Sequence, residues 1–377
     1  MIPNLRALFP AVRLAAAFLI CCITPPARSQ QLDKPLQTID EEITAFAFAP
    51  DGRIVYAVNR GFKTKKYDLE HDDIWIAESG GKKKRIFQGD KFTRGELPFT
   101  YAVDSFKWSP NGRLLLANLF TATLDETGKA EDSINTLILE DNGKEIRPGG
   151  TDSFLKNAAD ATWLLDSITV VYLTEVVKPK LLYSFKQTNL ATGPAGNVFE
   201  GRTFLASDPI PRTNAAIAVE RDHALTGPPR LQHLDLVAQE DTEIATLDGF
   251  EGGLRVSPSG KKVCYFIDKE VLEIRDLESP THIARLRVGL GIPRWSPDES
   301  RILLKRAIEK KSGDLVAFDV PPLLAPAAKE IPVAQPDMRS LLHGVTIREF
   351  ANSPDGRFLA IIPPGKRNLL IFPFPAR

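Results

Sequence analysis

The chain is poor in the residues that build cross-links and metal centres. Its 377 residues include three cysteines, two methionines and five histidines. Cys21 and Cys22 lie in an N-terminal apolar run, which leaves Cys264 alone in the remainder. A lone cysteine forms neither an intramolecular disulfide nor a cysteine-based zinc site, so a disulfide-stapled scaffold is excluded. His71, His223, His233, His282 and His343 share no ligand spacing, and no metal site or cofactor is expected. An excess of one charge is also missing: 48 basic and 48 acidic side chains cancel. Nothing in that balance calls for nucleic acid or an anionic membrane. There is no Gly-x-Ser-x-Gly elbow. Leu14 to Ile23 is an unbroken apolar run of ten residues, short of the roughly 20 needed to span a bilayer.

That run belongs to an export signal. Arg6 and Arg13 precede it, Pro25 and Pro26 end it, and Ala27-Arg28-Ser29 offers small residues where a signal peptidase reads. Residues 1–29 are therefore expected to be cleaved, leaving residues 30–377 with a net charge of −3 and no transmembrane segment. An uncleaved anchor is one alternative. A Cys21 lipoprotein is another, although Leu19 and Ile20 are bulky where a lipobox wants small residues. The mature protein is expected in the periplasm or outside the cell.

What the chain has in quantity is turns: 29 prolines and 25 glycines stand between short apolar runs, the pattern of an all-β protein. One unit recurs. It reads Phe46-Ala-Phe-Ala-Pro-Asp-Gly-Arg53, Phe106-Lys-Trp-Ser-Pro-Asn-Gly-Arg113, Leu254-Arg-Val-Ser-Pro-Ser-Gly-Lys261, Pro293-Arg-Trp-Ser-Pro-Asp-Glu-Ser300 and Phe350-Ala-Asn-Ser-Pro-Asp-Gly-Arg357, with a worn copy at Ala161–Ser167. The step from the copy at 165 to that at 258 is 93 residues, about two ordinary steps. A hidden copy is expected at Arg202–Glu220, around Pro209 and Pro211.

The turn has a physical reason. Proline presets φ, Asp or Asn folds onto nearby backbone, and glycine accepts the positive φ that reverses the chain. Residues two and four before the proline share one strand face. Trp108, Trp163 and Trp295 occupy one such slot and are expected to wedge between neighbouring sheets. Each turn is followed by a second apolar strand and a third. Fourth strands are expected at Lys84–Phe87, Lys144–Arg147, Asn197–Phe199, Glu243–Leu247, Ile283–Val288 and Glu330–Val333. Four antiparallel strands repeated radially make a propeller blade. The fold expected is thus an all-β, seven-bladed β-propeller of four-stranded antiparallel blades. The last blade lacks a fourth strand, and Leu36–Ile39 is free to supply it and close the ring.

The aromatic, Ser-Pro-Asp-Gly-Arg/Lys, apolar-strand pattern resembles the TolB-type β-propeller repeat, a WD-repeat-like family, over about residues 36–375. The resemblance implies a blade and leaves the function open. Relatives serve as periplasmic interaction platforms or as gating domains of serine peptidases. No α/β domain precedes the repeats as in TolB itself, so its partner does not carry over. The missing elbow speaks against a gating role.

Other chemistry is weak. Gly196–Thr203 mimics a phosphate loop, but Arg202 stands where the lysine belongs. Glu70-His71-Asp72-Asp73 could hold a cation, but reads first as a solvated loop. Lys82–Arg85 begins an outer strand, where lysines guard against edge pairing. Long polar loops between second and third strands are expected at Asn59–Asp72, Thr121–Ser133, Asp222–Arg230 and Lys305–Gly313. Binding residues concentrate on such loops, and the candidates are Arg60, Lys63, Lys65, Asp125, Glu126 and His223. The leading reading is a monomeric, non-enzymatic binding platform for a protein or envelope component. The alternative is a propeller enzyme of lactonase or lyase type at the central channel, which convergent His, Asp or Glu there would favour.

Overall fold

The structure is a computed structural model. It describes residues 32 and 34–374, apart from 64–67, 79–80, 90–98, 125–129, 149–153, 178–181, 223, 225, 310–311, 326–330, 343–346 and 364–367. The segment expected to be a signal peptide lies outside the described residues. So do Lys65, Asp125, Glu126 and His223, and the side chain of Lys63. No helix among the described residues is long and apolar enough to cross a membrane.

The architecture is all-β and β-propeller-like, built on four-stranded antiparallel sheets. A short strand, β1 (Gln37–Ile39), opens the described chain. The first sheet runs β2 (Ile43–Phe48), β3 (Ile54–Lys63), β4 (Asp68–Ala77), β5 (Lys83–Phe87). The second runs β6 (Phe99–Trp108), β7 (Leu114–Leu124), β8 (Ala130–Glu140), β9 (Phe154–Lys156). An eight-stranded sheet follows. It joins β10 (Ala159–Trp163), β11 (Thr169–Val177), β12 (Leu182–Asn189) and β13 (Gly193–Val198) to β14 (Phe204–Pro209), β15 (Ala215–Glu220), β16 (Arg230–Asp235) and β17 (Glu240–Thr246). Its two halves meet only at the pair Tyr183–Phe204. The next sheet is β18 (Gly252–Val256), β19 (Lys262–Phe266), β20 (Val271–Asp276), β21 (Ile283–Arg287). Then come β22 (Gly291–Trp295), β23 (Arg301–Glu309) and β24 (Ser312–Asp319), the two-residue β25 (Val333–Ala334), and β26 (Arg339–Leu342), which pairs with β24. The last sheet is β27 (Glu349–Asn352), β28 (Phe358–Ile362), β29 (Leu369–Pro373), with β1 as its outer strand. Gln37, Thr38 and Ile39 pair with Ile371, Leu370 and Leu369.

The inner stretches of second strands, such as Ile54–Val58, Leu114–Ala117 and Ile302–Leu304, are apolar because both sheet faces are covered there. Val55 and Ala57 pack with Tyr101, Val103 and Phe106 of the next sheet. Ile54, Tyr56 and Val58 pack with Ala360, Ile362 and Leu369 on the other side. Further buried clusters join β6–β9 to β10–β11, β10–β13 to β14–β16, β14–β16 to β18–β19, β18–β21 to β22–β24 and β22–β26 to β27–β29.

The repeated turn explains its own sequence. In Ser109-Pro-Asn-Gly112, the Gly112 N–H donates to the Ser109 carbonyl at 2.9 Å, closing the turn. The Ser109 hydroxyl donates to Asn111 Oδ1 (2.7 Å) and accepts the Leu114 N–H (2.9 Å). Serine therefore locks both ends of the loop. Ser296 and Ser353 repeat the arrangement with Asp298 and Asp355. Where the glycine is lost, Ser167 and Glu299 take its positive φ, 60° and 57°, a strained setting for residues with a Cβ. The hidden copy is present: Thr213 N–H donates to the Ile210 carbonyl, and Pro211 is its marker.

Several expectations change. The outer strand of the second sheet is β9. Lys144–Arg147 contributes one isolated bridge, Leu139 to Glu145, because the chain makes a tight turn at Asn142-Gly143 before travelling on to Phe154. Glu330–Val333 does not complete the β22–β24 sheet; β26 does. β25 instead lies parallel along β21 of the preceding sheet. Three of the expected loops are hydrogen-bonded hairpins. Asn59 to Lys63 pair with Asp72 to Asp68, Thr121 to Leu124 with Ser133 to Ala130, and Lys305 to Glu309 with Leu315 to Ser312. Trp163 and Trp295 are buried and donate to the Lys107 and Arg255 carbonyls of the preceding sheet at 3.1 and 3.0 Å. Trp108 is only half-buried, with Arg53 over its ring.

Candidate functional site

In a first strand, even and odd positions before the proline point to opposite faces of the sheet. Three residues before the marker stand Lys107, Asp208, Arg255 and Arg294. Five before it stand Asp160 and Glu349. Asp104 joins them through a register shift: Val103 pairs with Leu119 and Ser105 with Asn118, so Asp104 is an extra residue in β6. β10 shifts register between Ala159 and Thr162, and Asp160 sits there with φ +49°. Bulges of this kind re-aim side chains.

These side chains face one another. Burial raises the Asp104 carboxyl above its usual range. Repulsion from Asp160 and Glu349 adds to the shift, while Ser105 and Arg348 oppose it. Asp104 is itself exposed to water, which screens that shift. Burial likewise raises Asp208 against the pull of Arg255 and the Val256 N–H, which donates to its Oδ2 at 2.7 Å. Burial lowers Lys305 of β23; Glu349 opposes that shift and Arg294 adds to it. Arg294 and Glu349 form an ion pair at 2.7 Å, whereas Arg255 and Asp208 stand 3.9 Å apart. Lys107 Nζ donates to the Asp160 carbonyl at 3.3 Å, and Lys305 Nζ to the Arg348 carbonyl at 2.8 Å. Neither Asp104 nor Asp160 has an ion-pair partner among the described residues. Perturbed acids and bases gathered in one place mark a candidate functional centre.

The residues singled out in the sequence fall elsewhere. Arg60 lies on β3, 3.5 Å from Glu41 and 3.6 Å from Asp73, so it belongs to a charged hairpin base. His71, Asp72 and Asp73 are strand residues of β4 and are buried, not a solvated loop. Asp72 Oδ2 accepts from Thr44 Oγ1 and from the Val103 N–H, each at 2.8 Å. Its carbonyl accepts from Tyr101 Oη at 2.6 Å. Asp73 accepts from the Gly89 N–H at 2.9 Å and pairs with Arg85 at 3.2 Å. The cluster staples the first sheet to the second. Arg202 forks onto Glu220 at 2.8 and 2.7 Å, so the phosphate-loop mimic is an internal ion pair. Lys82, Lys83 and Lys84 are exposed along the outer strand β5.

On the extended hairpins one feature stands out. Phe120 of β7 and Ile134 of β8 are directly paired across the ladder, and both face water, with relative exposures of 53% and 38%.

No protein-family model matches this chain, and no curated protein sequence matches it either. The TolB-like likeness therefore rests on the repeat residues themselves. The central charges were missed because no motif names them; the signal available was the recurrence of charge three residues before the marker proline.

Proposed function

We propose that this chain is an exported, monomeric, closed seven-bladed β-propeller of TolB-like type that serves as a binding platform for a protein or cell-envelope component. The cyclic order of the buried clusters, with β1 completing the sheet of β29, supports the ring. The N-terminal basic, apolar and small-residue segments support export. The observation that carries the platform is the exposed Phe120–Ile134 pair, set on the long β7–β8 hairpin. A solvent-facing aromatic beside a β-branched partner is costly to hydrate and suited to an anchor.

Residues 30–377 are used as bait in an envelope extract, alongside Phe120→Asp. The wild type is expected to retain a defined set of proteins that the variant loses at an unchanged melting temperature. Retention of the same set by both, or of nothing by the wild type, removes this reading. The raised Asp104 carboxyl, beside Asp160 and Glu349, favours a second reading: acid–base chemistry in the central space.

A further inference from the structure

We infer that the outer edge of β8 receives an extended peptide segment of another protein, apolar at alternate positions and basic at its ends, which joins the second sheet as an antiparallel strand. The inference deepens the platform reading and rests on it.

β6, β7 and β8 run together beyond the point where β9 stops. Thr100, Tyr101 and Ala102 pair with Ala122, Thr121 and Phe120, and these in turn with Asp132, Ser133 and Ile134. β9 covers β8 only from Asn135 to Leu137. The chain then turns away at Asn157, in the left-handed region at φ +53°, to begin β10. In an antiparallel ladder, successive residues aim their backbone groups to opposite sides. The Ile138 carbonyl accepts from the Ile146 N–H, and the Glu140 N–H donates to the Lys144 carbonyl, both away from β7. The β7–β8 register is unbroken, so Ile134 and Asp132 also aim N–H and C=O away from β7. Neither has a backbone partner on that side among the described residues. An open edge of this kind is a template for another strand. The comparable stretch of β4 is closed, since the Asp72 carbonyl accepts from Tyr101 Oη.

Beside the open edge lies an apolar face. Ala102, Phe120 and Ile134 form one row across three strands, with Ala122 in the next. Phe120 and Ile134 are exposed, and the two alanines are half-buried. The opposite face is covered: Tyr101 and Thr121 are buried, and Tyr101 stacks on His71 of the first sheet. A strand laid along β8 brings one side chain into line with Ile134 and extends the row, so an apolar residue suits that place. Its neighbours in sequence point to the other face. Charge selects the occupant. Residues 124–133 carry Asp125, Glu126, Glu131 and Asp132 against Lys129. A second copy of β8 would set these acids against each other, whereas lysine or arginine on an incoming segment is attracted.

The test uses residues 30–377 and capped eight-residue peptides in which threonine alternates with valine, isoleucine or phenylalanine between terminal lysines. Calorimetry reads binding, and the melting temperature of each variant checks its fold. At least one peptide is expected to bind saturably, and its counterpart with terminal glutamates more weakly. The residue opposite Ile134 exchanges both backbone bonds with it. N-methylation at the apolar positions should therefore weaken binding by about tenfold or more, and at the threonine positions should not. Asp132→Pro deletes an outward N–H without touching the ladder to β7, and should also lose about tenfold or more. Asp132→Asn, which removes the charge alone, should lose about threefold or less. Equal binding of the two methylated peptides, or of the basic and acidic peptides, overturns the inference. So does a series in which no member binds. A dimer of the unliganded chain that Asp132→Pro returns to monomer gives the edge to a second copy and overturns it as well. Extract proteins that Phe120→Asp loses but Asp132→Pro retains would leave the platform standing and remove strand addition. Peptide binding as expected, with nothing retained from the extract, would do the reverse.

Discussion

Strands β6 and β22 carry the same repeat and have solved it differently. In β22 the ladder is regular from Gly291 to Trp295. Its tryptophan is buried and hydrogen-bonded, and Arg294 is paired with Glu349. In β6 the ladder shifts at Asp104. Its tryptophan is half-buried, and Lys107 finds only a backbone carbonyl. The repeat fixes where a strand turns; it does not fix how completely the strand is satisfied. Unsatisfied charge next to a bulge is a stability cost that natural proteins retain where a site needs it.

The comparison can be broken at several strengths. The strongest challenge is at the join. The sheet of β27, which faces β22, borrows β1 from the other end of the chain, whereas the sheet of β6 is complete within its own segment. Deleting residues 30–40 removes buried Ile39 and the ladder to β29. It should cost about 5 kcal/mol or more and lower the melting transition as a whole. A deletion variant that stays monomeric with the parent melting temperature would count against closure. Next come the tryptophans. Trp295→Ala should cost about 3–5 kcal/mol in a urea melt. Trp108→Ala should cost roughly 1–2 kcal/mol, because less area leaves water when it packs. Equal losses would erase the difference between the strands.

The smallest effect has the opposite sign. The folded state holds the Asp104 proton more tightly than the unfolded state does, since its carboxyl is raised above the ordinary 3.8. The contribution of Asp104 to stability therefore rises as pH falls from neutral through that raised value, and the gain is complete below the unfolded one. Asp104→Asn should be the more stable protein at neutral pH, and its advantage should shrink toward pH 4. Water reaches the carboxylate, so the gain stays below about 1 kcal/mol. A variant no more stable than wild type at pH 7 would show that Asp104 is not under electrostatic load.

The repeat was legible because its turn is local chemistry. Serine, proline, Asp or Asn, and glycine each perform a task within six residues, and the tryptophans mark one slot. The pairing of β1 with β29 was legible by elimination, as an apolar segment beside an open edge. The hairpins of β3–β4, β7–β8 and β23–β24 were not. Over Asn59–Asp72 the strands are mostly polar, so the ladder is held by backbone pairing without apolar alternation, and the segment reads as loop. The burial of His71, Asp72 and Asp73 was hidden because their partners, Thr44, Tyr101 and Val103, are distant in sequence. Asp104 was hidden for a subtler reason. A bulge moves it one residue off the spacing of the other central charges, and no periodic reading anticipates an inserted residue.

Ile39 and Leu369 are strand partners separated by 330 residues. At ribosomal rates of about 5–20 residues per second, the first strand to be made waits roughly 15–60 s for the last. No local contact shortens that delay, and pairing over such a separation is intrinsically slow once it begins. Throughout it, β1 has no strand to pair with, and buried Ile39 has no core to enter. The time between synthesis of the two ends, more than any weakness of the finished fold, is when this chain is most exposed to aggregation.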